Sequence, residues 1–502
     1  MTAWEPLHGP TPVIVGVGEV VQRPDVDPPA HPVALAALAA RRAAEDAGAP
    51  TSCGEIDSLD LVNVMGWAYE DPAGLLAEEL DCRPAHVAQS AIGGHQPVRL
   101  LDQAAARIAS GASSVALVAG AEAMASLASS MRGGTMPPWP PPPVDAVPVE
   151  ARDFVTDHMA AHGLVMPTDV YPLYEQASRH DAGQTQAEAR RWAASTWAAA
   201  SEVAAQNPTA WLQRARMADE LAEVSPSNRM VSWPYPKLLT ANLGVDQAAA
   251  VLLTSTEVAR RMGVPEERWV FPWGGAGASE PDDVLARDGF SSTAAGSAAL
   301  EGALELAEAA PEDLDLLELY SCFPCVPRMA LRALGLPLDH ATTVTGGLTF
   351  FGGPGNDYML HAVAAMVARL RAGDGEQGLL YGQGGHVTSH HAMVLRRLPA
   401  DRYRVDDAVA RQASVPVFER TLLHGSAPAD GHVETFAVPY DREGQAGPAT
   451  VVGRTPAGDR FVAMLETTDD ALGVLTHPDA EPLGRPVGSV AGPDDRRWVR
   501  LA

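Results

Sequence analysis

Residues 103–124 read QAAARIASGASSVALVAGAEAM. The first part is an Ala-rich helical run that Gly111 ends. From Ser114 to Gly120 the chain is apolar on alternate and intervening positions alike, which predicts a strand buried on both faces. Working back, the helix reaches Gln96 and is preceded by Gly93-Gly94. Further upstream, Pro12 to Gly18 and Ser58 to Met65 read as buried strands, and His31 to Asp46 as a helix stopped by Gly48 and Pro50. Strands that alternate with helices and are apolar on both faces predict an α/β sheet covered on both sides.

Downstream the rhythm breaks at Arg132 to Val147, where Pro137-Pro138-Trp139-Pro140-Pro141-Pro142-Pro143 excludes regular helix and central strand. An insertion follows, with helices expected over Ala187–Ala205 and Ala210–Ala222, ending near Trp233-Pro234-Tyr235-Pro236. Sheet patterning resumes at Gln247 to Leu253. It continues with strands at Trp269–Trp273, Leu314–Tyr320 and Gly378–Tyr381, and helices at Ala294–Ala309 and Asp357–Arg371. In both halves a Gly-rich turn opens a helix and a strand ending in Gly follows, a weak internal duplication. Beyond residue 400, short alternating stretches without helical periodicity predict a small all-β, barrel-like module.

The chain has 502 residues, with 36 Lys+Arg against 63 Asp+Glu, a formal charge of −27. That balance argues against nucleic acid and anionic membrane as partners, since both need a basic face. Four cysteines are too few for a disulfide framework, so a reducing compartment is expected. There is no basic region followed by an apolar one at the N-terminus, and no apolar run long enough to span a bilayer. The expectation is a cytoplasmic protein.

Residues 10–400 resemble the thiolase superfamily. The block from Gln103 to Met124 looks like the helix and strand behind the thiolase nucleophile. Leu319-Tyr320-Ser321-Cys322-Phe323 resembles the His-Asp-Cys-Phe block, residues 346–356 the Gly-His-Pro block, and residues 378–385 the last Cys-x-Gly block. The wording GGHQP, LYSCFP and FGGPGN, with the β extension, is similar to thiolase-like protein type 1, a group related to sterol-carrier-protein-type thiolases and often labelled acetyl-CoA acetyltransferase. The resemblance implies an α/β thiolase fold, two βαβαβαββ halves in five α/β/α/β/α layers. It divides the chain into an N-terminal half (1–125), a loop-domain insertion (126–244), the end of the N-terminal half (245–270), a C-terminal half (271–402) and an OB-like β domain (410–502). It also implies CoA or acyl-CoA as ligand, with no covalently bound cofactor and no metal, and a monomer, because the insertion and the extra barrel block the usual dimer face.

The departures from the family govern the chemistry. A thiolase needs a nucleophilic thiolate, a His that activates it and a second Cys that moves the α-proton. Aligned on the helix, the nucleophile position falls at Gly93 or Gly94; the Gly-His-Pro His is Gly353; the last Cys is Gly382 or Gln383; and the His of His-Asp-Cys-Phe is Tyr320. Thiolysis through Cys is therefore not expected. Tyr320, Tyr358, His386 and Cys322 remain as candidates for catalysis. For Tyr320 and Tyr358 the alternative is a core role, and for Cys322 with Cys325 a pair of buried thiols outweighs a zinc or dithiol site. Gly93, Gly94, Gly353 and Gly384 expose N–H groups near helix starts, and Trp233 with Lys237 offers a plane and a cation to CoA. Three readings follow: an acyl-CoA-binding protein of acyltransferase type without thiolysis, a retro-aldol lyase on a 3-hydroxyacyl-CoA through Tyr320, and a non-catalytic scaffold whose C-terminal domain grips a partner protein.

Overall fold

The computed structural model describes residues 4–23, 28–147, 149–417, 421–424 and 430–502. The first half forms a five-stranded sheet. Its order is Pro12–Val21, Asp246–Ser255, Val115–Ala123, Ser58–Leu61, His86–Gln89. Asp246–Ser255 and Val115–Ala123 are buried at every position, which is why Ala248–Leu253 and Val115–Ala121 read as continuous apolar runs. The second half repeats the arrangement with Phe271–Ser279, Ser389–Arg396, Gln377–Gly384 and Leu316–Leu319. Where the first sheet has His86–Gln89, the described residues of the second put irregular chain: the Leu319 N–H donates to the Thr342 carbonyl at 2.9 Å.

Two helices, Gln96–Ala109 and Tyr358–Ala372, touch each other and strands of both sheets, forming the middle layer. Val98, Leu101, Ala105 and Ile108 recur at helical spacing on the first of these and are fully buried. Removing the Leu101 side chain would cost about 2–5 kcal/mol. Pro32–Asp46 covers the outer face of the first sheet and Ala294–Ala307 that of the second. These are the five layers of a thiolase-like fold. Stacking the two sheets on a shared helix pair brings the starts of those helices together, and the site is built there.

The C-terminal strands close on themselves. Gly431–Pro439 pairs with Ala449–Arg454, which pairs with Arg460–Leu465, then Trp498–Leu501, then Pro486–Val490, which returns to Gly431–Pro439. This is a small OB-like β-barrel. Two helices lie beyond residue 400, where the sequence shows no helical periodicity: Ala408–Ser414, capped by Asp407, and Asp469–Leu475, capped by Thr468. Seven residues carry too few turns to show a period, but the caps mark both starts. Within the insertion, helix forms over Gln186–Gln206, whereas 210–222 yields only Ala218–Ala222.

The insertion and the barrel are joined by continuous structure. Strand Met230–Trp233 pairs with the barrel strand Gly431–Pro439. Arg179, 1% exposed, makes a two-pronged contact to Glu481 at 2.7 and 2.9 Å. No helix among the described residues is long and apolar enough to cross a membrane.

Candidate functional site

The first turn of Gln96–Ala109 enters from a Gly-Gly bend. Gly93, at φ +147°, donates its N–H to Asn356 Oδ1 at 2.8 Å, and Asn356 Nδ2 donates to the Asn63 carbonyl at 3.0 Å. Asn356 thereby ties the Gly-rich turn of the second half to that of the first. The backbone N–H groups of Gly94 and His95 donate to nothing among the described residues.

Three of the glycines here are dictated by close approach. A Cβ at Gly94 would lie 2.6 Å from Tyr320 Cζ and 2.7 Å from the Gln383 carbonyl oxygen. At Gly382 it would lie 2.9 Å from His95 Cα and 3.1 Å from the Gly94 oxygen. At Gly384 it would press on His95 Nδ1 and stand 3.1 Å from Gly93 Cα. Real Cβ contacts below 3.0 Å essentially never occur. At these glycines the backbone strips of the two halves lie so close that no side chain fits between them. Gly353 differs: its Cβ would have 3.4 Å to the nearest atom, an ordinary contact.

Tyr320 packs against this backbone. It is 7% exposed, and no hydrogen bond reaches its hydroxyl among the described residues. Burial, with Cys322 adding, pushes its pKa far up, so it stands as a neutral phenol. Cys322 is held the same way: burial raises its thiol to about 12, although Gln383 Nε2 approaches Sγ at 3.4 Å. Gln383 Nε2 also donates to Tyr171 Oη at 2.6 Å, and Tyr171 donates to the Gly385 carbonyl at 3.1 Å. Cys325 is fully buried, with Sγ 3.8 Å from the Tyr171 carbonyl oxygen. Both cysteines are free.

The remaining candidates scatter. Tyr358 packs edge-on to Tyr320, ring centres 5.8 Å apart, but its hydroxyl is taken up by Glu318 Oε1 and Thr345 Oγ1, each at 2.6 Å. His386 stands edge-on to Tyr171 with Nδ1 buried and unpartnered; burial lowers its pKa to about 4. Trp233 is built into the seam with the barrel: Nε1 donates to Gln186 Oε1 at 2.5 Å, and Arg190 stacks on its ring at 4.8 Å. Lys237, the chain's single lysine, is exposed nearby. Its backbone N–H donates to the Arg229 carbonyl at 2.9 Å.

One residue of this cluster is not among the candidates the sequence offers. His95 sits directly after the Gly-Gly bend, 8% exposed, its ring against Gly93 and Gly384. Burial is the main cause that lowers its pKa to about 3, with His391 and Arg99 contributing. The signal for it was its position inside GGHQP. The site thus offers two free backbone N–H groups, a neutral phenol and a neutral imidazole, and no thiolate.

A thiolase-fold protein is what the two stacked half-sheets and the site at their paired helix starts define. The chain is 30% identical to a monomeric SCP2-thiolase like protein type 1 (STLP1) from Mycobacterium smegmatis, with a TM-score of 0.82 over 98% of this chain and 99% of that one. Residues 405–490 match the family described as the thiolase-like protein type 1 additional C-terminal domain. This chain belongs to the thiolase-like proteins of type 1. At the level of fold it is also similar to the Ltp2–ChsH2(DUF35) aldolase (19% identity, TM-score 0.59, 78% of this chain and 98% of that one). It is similar in the same sense to an acetyl-CoA acetyltransferase from Syntrophomonas wolfei (17%, 0.58, 78% and 100%). No curated protein matches.

Proposed function

We propose that this protein binds acyl-CoA or a closely related thioester and forms no covalent acyl-enzyme. The carrying observation is the closure of the backbone over the thiol positions: at Gly94 and Gly382 a Cβ has nowhere to go. Cys322 stands apart from these positions as a neutral, buried thiol, which is a poor nucleophile. The thioester carbonyl would be met by the free N–H groups at the start of Gln96–Ala109, where the helix dipole also favours negative charge. CoA would pass the insertion near Lys237. A monomer in a reducing compartment fits the description of the M. smegmatis relative and the four free thiols.

The test is calorimetric titration of the full chain with CoA, acetyl-CoA and longer acyl-CoAs, run alongside a thiolysis assay. Binding without thiolysis is expected. Thiolysis at a thiolase's rate rejects the proposal.

A second reading, carbon–carbon cleavage of a 3-hydroxyacyl-CoA, is favoured by the neutral phenol of Tyr320 in a site where the Cys322 thiol is held protonated by burial. A phenol kept protonated serves as proton donor to the departing enolate rather than as base, and the neutral imidazoles of His95 and His386 are the candidate acceptors for the hydroxyl proton. Release of aldehyde or ketone from a 3-hydroxyacyl-CoA selects this reading. Its absence with several chain lengths dismisses it.

A further inference from the structure

We propose that the cavity between the insertion and the barrel binds a phosphorylated nucleotide, with its phosphate held by Arg229 and Arg442 and its base against Tyr440. The cavity holds about 560 Å³, within the range of about 300–1,000 Å³ found for small-molecule sites. One wall is the turn at residues 224–230 of the insertion, and the other is the barrel hairpin at residues 440–444. Both are tied down before any ligand arrives. Asn228 Nδ2 donates to the Leu221 and Glu223 carbonyls at 3.1 and 2.9 Å, and its Oδ1 accepts the Leu238 N–H at 2.8 Å. In the hairpin the Gln445 N–H donates to Asp441 Oδ1 at 2.7 Å, and the Asp441 N–H to the Gln445 carbonyl at 3.0 Å. The Tyr440 N–H donates to the Val231 carbonyl at 3.0 Å, which fixes one wall on the other. A site built from walls already in place loses little to ordering when it binds.

Among the described residues that line the cavity, Arg229 and Arg442 are the cations and Glu443 is the one anion, so the lining is net positive in a chain of formal charge −27. Neither guanidinium has an ion-pair partner among the described residues. Arg229 Nη1 donates to the Met230 carbonyl at 2.9 Å, which leaves the other N–H groups of its fork for a ligand. A guanidinium fork matches the oxygens of a phosphate, and two of them on one cavity suit a dianion. Val224, Pro226 and Met230 add apolar surface, and Tyr440 adds a ring face on which a base can stack. Inorganic phosphate would leave that surface unused, whereas a nucleotide covers both parts. Tyr440 and Arg442 come from the barrel, so the site needs the additional domain. The nucleotide can arrive free or as the 3′-phosphorylated ADP end of CoA. The second source rests on the acyl-CoA reading, and the backbone of Lys237, hydrogen-bonded to Arg229, puts the cavity beside the CoA path given there. The first source does not depend on that reading.

The experiment titrates the full chain calorimetrically with adenosine 3′,5′-bisphosphate, AMP, adenosine and CoA. The bisphosphate is expected to bind, and adenosine to bind at least about tenfold more weakly. Arg442→Ala and Arg229→Ala should each weaken the bisphosphate about tenfold or more, the worth of a charged hydrogen bond. Arg83→Ala, which removes an exposed cation outside the cavity, should leave it unchanged. CoA weakened by the same factor in the two cavity variants makes its nucleotide end the occupant. CoA that fails to bind, or binds equally to all variants, makes a free nucleotide the occupant. No binding of the bisphosphate or AMP, adenosine binding as tightly as they do, or affinities undiminished in both cavity variants overturns the site. CoA binding that persists in that event leaves the acyl-CoA reading standing. Near-ultraviolet circular dichroism of the variants establishes that they are folded.

Discussion

Tyr320 ends against the backbone of Gly94: a Cβ there would stand 2.6 Å from Tyr320 Cζ and closer still to the hydroxyl. The pair is a trade between side chain and main chain. Because residue 94 has no side chain, the phenol can lie directly against its backbone.

Gly94→Ala should therefore cost about 1–3 kcal/mol through overpacking. Tyr320→Ala in the same chain should return part of that loss. A double-mutant cycle by urea unfolding is expected to show coupling of at least about 1 kcal/mol. Additive losses would mean that the two residues do not compete for space.

Gly353 gives the contrasting result. With 3.4 Å of clearance and no left-handed backbone angle, Gly353→Ala should be neutral or stabilising by up to about 1 kcal/mol. Thermal unfolding of this variant beside Gly94→Ala separates a site closed by packing from one that merely lost its side chains. A Gly353→Ala loss as large as that of Gly94→Ala would contradict the distinction.

Two pH profiles should have opposite slopes. His386 is neutral in the fold down to about pH 4, whereas an unfolded histidine takes a proton near 6.5. Stability that depends on it is present above 6.5 and is lost as pH falls towards 4. Glu122, buried against the Met65 and Gly66 N–H groups, titrates near 7 instead of 4.5. Its contribution is present below 4.5 and is lost as pH rises through 7. Relative to His386→Gln the wild type should lose stability on acidification. Relative to Glu122→Gln it should lose stability on moving from 4.5 to 7. Each slope is at most about 1.4 kcal/mol per pH unit, read from denaturant unfolding at several pH values; parallel profiles would rule the assignments out.

Arg179 and Glu481 hold the barrel on the insertion, and they should not be interchangeable. Glu481→Ala leaves a guanidinium that is 1% exposed without its partner and should cost about 2–3 kcal/mol. Arg179→Met leaves a carboxylate with 43% of its side chain in water, and should cost about 1 kcal/mol. The reverse order in thermal unfolding would show that the contact contributes through packing of Arg179 alone.

Local sequence carried the sheets and helices well where the pattern depends on burial, as at Val115–Ala123, whose every residue is inside. It located Tyr320 because a buried strand leads straight to it. It did not reveal the packing of Trp233, whose Trp-Pro-Tyr-Pro setting reads as a ligand-facing loop. What fixes that segment is pairing of Trp233 with Val438, far along the chain, which no local pattern reveals. His95 escaped notice for a related reason: a lone histidine after two glycines becomes meaningful only when Gly384 of the other half packs onto its ring.

The most direct measurement is a trapping experiment: excess 14C-labelled acetyl-CoA, acid quench, then intact mass and peptide mapping. The structure predicts no acyl group on any of the four cysteines, with Cys322 and Cys325 as silent as the rest. An acetylated Cys322 formed at the rate of a thiolase half-reaction would contradict it.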